Sequence, residues 1–204
     1  MKSDSEIEKR VSEYYTEKIK AHGTSSQGVD WNGQESHFLR FEQLVRILQG
    51  DSKFSLLDYG CGFGSLIQFL NSKKYAFEYT GFDISDEMLT HGKKSFPGFR
   101  FINQIEGQNF DFTIANGIFN VRLDTGVEDW KKYVFQTLDE INSFSNKGFS
   151  FNILSSYSDD EFMQDYLFYA NPLEIFDYCK LNFSKNVSLI HDYNLYEFTI
   201  LVKK

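Results

Sequence analysis

The chain has 204 residues, enough for one domain with its own core. With 41 % hydrophobic and 25 % charged residues, its composition is that of a globular protein rather than a disordered one. Lys and Arg number 21 against 29 Asp and Glu, a net charge of −8 that repels a phosphate backbone; with no Lys/Arg-rich run, nucleic acid is excluded as an expected partner.

In chain order, the N-terminal stretch is charged and helical from residue 4 to about 21, with Ile7, Val11, Tyr14, Tyr15 and Ile19 on its apolar face. It has no apolar signal-peptide core, and no run reaches membrane-spanning length, so a cytoplasmic protein with no membrane partner is expected. "HGTSSQGVDWNG" reads as loop. A second helix is predicted from Gln34 to Leu48, with Phe38, Phe41, Leu44, Val45 and Leu48 facing inward. Residues 1–50 form a helical cap, and residues 51–204 the α/β core of the same single domain.

An alternation follows. Strands are expected at "FSLLDY", "FEYTGFDI", "FRFIN", "FDFTIANGIF" and "GFSFNIL", with helices at "GSLIQFLNSK", "SDEMLTHGKKSF" and residues 126–145. That order implies a Rossmann-like, mostly parallel sheet with helices on both faces. The tail departs from the rhythm. After a helix at "PLEIFDYCKLN", the strands "KNVSLIHDY" and "LYEFTILVKK" are separated by almost nothing and must be antiparallel.

The candidate site begins at "LLDYGCGFGS", residues 56–65. Gly60, Gly62 and Gly64 follow the first strand and open a helix, where glycine permits a sharp turn and close approach of a ligand. A glycine cluster alone is as often there for geometry as for a ligand. Asp58 precedes the knot, and Asp83 ends the second strand 19 residues past Gly64, near the spacing of an acid that grips ribose hydroxyls. Neither Cys61 nor Cys179, the only cysteines, belongs to a disulfide framework or a zinc spacing.

"LLDYGCGFG", "YTGFDIS", "FDFTIANGIF" and "KGFSFNIL", followed by the terminal hairpin, together resemble the class I S-adenosylmethionine-dependent methyltransferases of small-molecule type, over residues 54–204. The resemblance implies S-adenosylmethionine as cofactor. Asp58, Gly60, Cys61, Gly62 and Gly64 would flank its methionine part, Asp83 would accept both ribose hydroxyls, and Ile84 would lie on the adenine. Gln104 is the choice for reading the adenine amino group, beside Asn103 and Ile105. Asn116 and Gly117 would close over the amino-acid end, and Phe119 would wall the site. A carboxylate at Asp58 disfavours a phosphate and suits a cationic sulfonium ligand.

Within that reading, Arg40 is placed to pair with the cofactor carboxylate, or else serves a surface ion pair. Tyr15 or Trp31 would stack over the cofactor, or else anchor the cap with Tyr14. An oxygen nucleophile needs a base, for which His22, on the presumed lid, and His191, at a strand end, are the candidates. His37 reads as a polar-face residue and His91 as solvent-exposed. The segment 155–172 is expected to hang over the carboxyl edge of the sheet. Its acids Asp159, Asp160 and Glu161 read as a solvated helix start, and no metal is expected.

The expected function is methyl transfer to an O or N atom of a small molecule. A nicotinamide-dependent oxidoreductase is the alternative, but it wants a glycine where Ser65 and Leu66 stand and would not end in a hairpin. A catalytically silent nucleoside-binding domain is another. "IANGIFN" lacks the Asn/Asp-Pro-Pro-aromatic set that holds a nucleobase amine. Neither the methyl acceptor nor the oligomeric state is legible.

Overall fold

The computed structural model describes residues 2–23, 33–48 and 53–204. Trp31 lies outside the described residues, and so does the side chain of His22.

Among the described residues seven strands form one sheet: β1 (Phe54–Tyr59), β2 (Phe77–Phe82), β3 (Arg100–Ile102), β4 (Phe110–Ala115), β5 (Ser145–Leu154), β6 (Asn186–Ile190) and β7 (Glu197–Lys203). Their spatial order is β3-β2-β1-β4-β5-β7-β6. The first five are parallel, whereas β7 runs antiparallel between β5 and β6. Among the described residues six α-helices accompany them: α1 (Lys2–His22), α2 (Gln34–Leu44), α3 (Ser65–Ser72), α4 (Asp86–Ser95), α5 (Val127–Phe144) and α6 (Pro172–Asn182). This is the Rossmann-like sheet with an antiparallel C-terminal pair expected from the sequence. Among the described residues, no helix is long and apolar enough to cross a membrane.

Local chemistry sets several boundaries. Ser85 caps α4 by accepting the Met88 N–H at 3.4 Å, with acids in the first turn and Lys93 and Lys94 in the last. Asn171 caps α6 ahead of Pro172, whose fixed φ suits a first turn. β5 starts three residues earlier than expected, because Ser145 terminates α5. Its hydroxyl contacts both the Ile141 carbonyl (2.7 Å) and Thr113 Oγ1 (2.8 Å), tying the helix end to β4. β6 stops at Ile190, so residues 191–196 form a real loop where almost none was expected. Asn194 takes a positive φ of 52° there, and the buried Tyr193 hydroxyl meets Thr199 Oγ1 at 2.9 Å.

The two sheet faces carry separate cores. Phe41, Leu44, Phe69, Leu70 and Ile114 pack under α2 and α3, while Val11, Trp130, Leu138, Phe149 and Phe151 pack under α1, α5 and α6. Alternation along β5 and β7 divides the strands between them: Phe149, Phe151, Ile153, Phe198, Ile200 and Val202 all serve the second core.

β2 and β4 end earlier than the sequence patterns, at Phe82 and Ala115. Asp83, Ile84, Asn116 and Gly117 therefore leave the ladder at the carboxyl edge, where a parallel sheet presents its crevice.

Phe151 is fully buried at the centre of the second core. Phe151→Ala should cost about 3–5 kcal/mol of unfolding free energy, read as a lower urea midpoint; a midpoint within 0.5 kcal/mol (roughly, the surface-substitution range) of the parent would show that this core does not carry the sheet.

Candidate active site

The turn after β1 is lashed to the end of β2. The N–H groups of Gly60 and Cys61 both donate to the Phe82 carbonyl, at 2.8 and 2.9 Å. The Gly62 N–H donates to Asp83 Oδ2 at 2.8 Å, and the Ser85 N–H to Asp83 Oδ1 at 2.9 Å. Gly60 and Gly62 adopt φ of 76° and 53°, and a Cβ on Gly60 would stand 2.3 Å from Ile118 Cγ2. Left-handed backbone and close approach together make glycine obligatory there.

This knot buries two carboxylates side by side. Asp58 accepts a hydrogen bond from the Tyr79 hydroxyl at 2.7 Å. Burial raises the Asp58 pKa to about 7, with the Asp83 charge adding to the effect and the Tyr79 bond opposing it. Burial likewise raises Asp83 to about 6 against the pull of its backbone donors. Cys61 is buried beside them, its thiol pushed well up and therefore unreactive.

Around the knot lies a crevice of about 880 Å³ with its open mouth included. The structure brings Asp58, Gly60, Cys61, Gly62, Asp83, Ile84, Asn116 and Gly117 together on its wall. The Asn116 side-chain oxygen is buried there without a hydrogen-bond partner. Gly64 stands behind the wall as the left-handed residue ahead of α3.

α1 roofs this cavity. Ser12 Oγ donates to the Ile84 carbonyl at 3.1 Å, and Thr16 Oγ1 lies 2.8 Å from Ser85 Oγ. Arg10 reaches the other side, to Asp124 and to Thr125 Oγ1 at 3.1 Å. Between these anchors Glu8, Val11 and Tyr15, on one helical face, line the cavity. Tyr15 thus faces the site, while Tyr14 packs edge-on against Tyr15 with Lys18 over its ring.

Other expected residues are placed elsewhere. Gln104 is exposed on the loop that follows the three-residue β3 and is absent from the cavity wall; beside it Asn103 turns to Asp86 Oδ1 at 3.2 Å. Arg40 is buried but points away from the cavity, into an ion pair with Glu197 on β7. The surface ion pair weighed for it is therefore a buried one. His191 is exposed beside Tyr157, clear of the cavity, because β6 ends before it. Phe119 is core, edge-on to Phe151; Ile118 takes the wall instead. His37, read as a polar-face residue, is buried against Phe41, 3.4 Å from Ser65 Oγ, and lines the cavity. Burial and then the Arg40 charge lower its pKa to about 4, so it is a neutral imidazole. His91 is half-buried on α4 beside Glu87.

Residues 155–171 do not reach the cavity. Arg122 holds the segment by donating to the Leu167 carbonyl at 3.2 Å, and the Phe168 N–H donates to the Asn120 carbonyl at 2.8 Å. Tyr59, Tyr133, Glu8 and Met88 line the cavity although no sequence pattern singled them out. The spacing of positions 8, 11 and 15 was the available signal, but a helix carboxylate ordinarily reads as solvated.

Behind the wall runs a buried polar relay. The Gly117 N–H donates to Asn152 Oδ1 at 2.7 Å, Asn152 Nδ2 donates to Glu197, and Glu197 pairs with Arg40 on α2. The relay links the cap helix to the backbone turn beside Asn116.

Residues 57–148 match a family model described as a methyltransferase domain. A Mycobacterium tuberculosis (strain ATCC 25618 / H37Rv) protein named "Putative methyltransferase Rv1506c" is 44 % identical over 165 residues, covering 78 % of this chain and 99 % of that protein. Among solved structures, magnesium protoporphyrin IX methyltransferase from Synechocystis PCC 6803 with bound SAM superposes with a TM-score of 0.59. That match has 16 % identity and covers 83 % of this chain and 81 % of that one. An S-adenosylmethionine-dependent methyltransferase from Clostridium acetobutylicum ATCC 824 gives 0.56 at 18 % identity, covering 96 % and 98 %. At these identities the two structural likenesses are likenesses of fold.

Glu197→Ala should cost about 3–5 kcal/mol, because it removes one partner of a buried ion pair. Adding Arg40→Met should recover part of that loss in thermal or urea unfolding. A double variant no more stable than Glu197→Ala would show that the charge left behind is not the cause.

Proposed function

The chain belongs to the class I S-adenosylmethionine-dependent methyltransferases, and we propose that it transfers the methyl group to an oxygen or nitrogen of a small molecule held under α1. Its methyl donor is S-adenosylmethionine, whose sulfonium supplies an already activated methyl group. The acceptor reading is supported by one feature above others: a crevice covered by α1 whose wall carries two buried carboxylates.

The residues fit the cofactor. Asp58 and Asp83 are desolvated, no Lys or Arg among the described residues lines their cavity, and the Asn116 side-chain oxygen is orphaned there. All three are acceptor groups suited to the hydroxyl and ammonium donors of a cationic nucleoside. In this assignment Asp83, already fixed by the Gly62 and Ser85 amides, accepts the ribose hydroxyls. Ile84 and Met88 offer the adenine an apolar seat. Asp58 and Asn116 face the amino-acid end, with the Asn152–Gly117 bond holding that turn in place.

What the protein contributes to transfer is alignment and exclusion of water. α1, strapped at both sides of the crevice by Arg10, Ser12 and Thr16, closes the roof over the reacting groups. Such orientation can lower a barrier by on the order of 7–11 kcal/mol. Tyr15, Tyr59 and Tyr133 form a wall of low polarity around the space where positive charge disperses. Of the two expected bases, His191 lies outside this space and the side chain of His22 is outside the described residues; His37, a neutral imidazole, lines it.

Asp83→Ala should weaken binding of S-adenosylmethionine by roughly 10- to 150-fold, the loss expected when hydrogen bonds to a charged acceptor disappear (about 1.5–3 kcal/mol). Unchanged affinity in calorimetry would remove Asp83 from the ribose.

The raised carboxylates set a pH dependence. Protonation of Asp58 near 7 and Asp83 near 6 removes the charge that a cation prefers, so affinity should fall as the pH drops from 8 to 5.5 (roughly, spanning both values). Binding near the middle of that range should release protons, detected as a buffer-dependent enthalpy. For the cofactor-free protein the sign is opposite. Both values exceed the ordinary 3.8, so the contribution to stability is greatest below that value and is lost as the pH rises through 6 and 7. Affinity flat across the range would contradict the assignment.

A further inference from the structure

Asp58 and Tyr79 lie on one face of the sheet, on neighbouring strands. In the β1–β2 ladder Leu56 stands opposite Tyr79, and Asp58 opposite Gly81. With no side chain at Gly81, the Tyr79 ring leans along its strand into the space beside Asp58. A Cβ on Gly81 would stand 2.9 Å from the Tyr79 hydroxyl and 2.8 Å from Cys61 Sγ. The hydroxyl donates to Asp58 Oδ2 at 2.7 Å. Phe99 and Phe101 meet the buried ring edge-on, at centroid distances of 5.7 and 5.8 Å, and fix its direction.

This contact is made from behind the cavity wall. Asp58 lines the cavity and Tyr79 does not, so the phenol reaches a ligand only through the carboxylate. Burial holds the Tyr79 phenol well above its ordinary pKa, so it stays a donor. Burial also raises Asp58 to about 7; the Tyr79 bond opposes that rise, and the Asp83 charge adds to it. A carboxyl that takes up its proton loses its charge and part of its accepting capacity. The groups facing Asp58 are Tyr79 and Asp83 from β2 and its end, and Cys61 from the turn after β1; across the cavity stand His37 of α2, Glu8 of α1 and Tyr133 of α5. Above neutrality Asp83 is ionised, His37 is neutral and the Cys61 thiol keeps its proton.

Resting on the reading that Asp58 faces the amino-acid end of the cofactor, we infer that Tyr79 is a positioning residue for S-adenosylmethionine. Its hydroxyl, set over Gly81, orients the Asp58 carboxylate and keeps it an anion for the cofactor's ammonium group. The bond restricts rotation of the carboxylate, and as a bond to a charged acceptor it favours the ionised form over the protonated one. Phenylalanine at position 79 would fill the same space between Phe99 and Phe101. It would leave Asp58 to burial and to the Asp83 charge, so more of the acid would be protonated at neutral pH.

The test is Tyr79→Phe in the full chain. Carbon-13 NMR of the cofactor-free protein should show the Asp58 carboxyl titrating about one to two pH units higher in the variant, the effect of losing a hydrogen bond to a charged acceptor. In calorimetry S-adenosylhomocysteine should bind the variant roughly 5- to 50-fold more weakly than the parent at about pH 7, and within about twofold of it at about pH 9. Taking the ratio of the two affinities at each pH removes the ligand's own titration. 5′-Methylthioadenosine, which has the nucleoside but no amino acid, should bind both proteins alike. An Asp58 titration that does not move would overturn the proposal. So would a loss of equal size at both pH values, or one shared by methylthioadenosine, since either would mark a merely structural role. Asp58→Asn checks the reading beneath: it should weaken S-adenosylhomocysteine by roughly tenfold or more at about pH 8. Parent-like binding by Asp58→Asn would strike the placement of Asp58 and this proposal with it. Weakened binding by Asp58→Asn together with an unmoved Tyr79→Phe profile would overturn the role of Tyr79 alone.

Discussion

Four backbone N–H bonds at the tips of β1 and β2 organise the molecule's carboxyl edge. Gly60 and Cys61 donate to the Phe82 carbonyl, while Gly62 and Ser85 donate to the Asp83 carboxylate. These bonds satisfy amides that a tight turn would otherwise leave exposed or orphaned. They also fix Asp83 and bring it close enough to Asp58 for each charge to disfavour the other. Without the left-handed glycines the turn could not approach β2, and the two carboxylates would not share one dry pocket. The electrostatic character of the cavity descends from this turn.

That character is costly to the free protein. Two desolvated acids with raised pKa values oppose folding at neutral pH, a burden that a structural protein would have no cause to keep. In the proposed assignment a cationic nucleoside offsets it on binding. Stability and affinity are therefore coupled in opposite directions across the same pH range. The hydrophobic cores on both faces of the sheet supply the stability that allows such a site to exist.

The cap is joined to the site from two sides by different physics. α1 is held by side-chain hydrogen bonds at both rims of the crevice, from Ser12 and Thr16 on one side and Arg10 on the other. Bonds of this kind near a surface are individually modest. α2 is held by the buried Arg40–Glu197 pair and by Ser150 Oγ donating to the Leu44 carbonyl at 2.9 Å. Through Asn152 the pair reaches the Gly117 amide, so α2 also braces the cavity wall.

Much of this molecule was legible in its residues alone. Alternating strand and helix patterns determine a parallel sheet, because each pattern is local and each crossover has one favoured hand. The order of Asp58, the glycines and Asp83 determines where the edge of that sheet is polar, since strand ends and turn residues are also local facts. What only the tertiary structure decided depends on which faces meet. "FSFNIL" alternates as though Ser150 and Asn152 faced water, yet α2 covers them and turns them into a buried relay. Arg40 and His191 carry the right chemistry for a site, but one is taken by Glu197 and the other lies beyond the end of β6. Glu8 looked like any solvated helix carboxylate until α1 was laid across the crevice. A side chain's type is written in the sequence; its partner and its share of water are set by segments far along the chain, and those two quantities govern its chemistry.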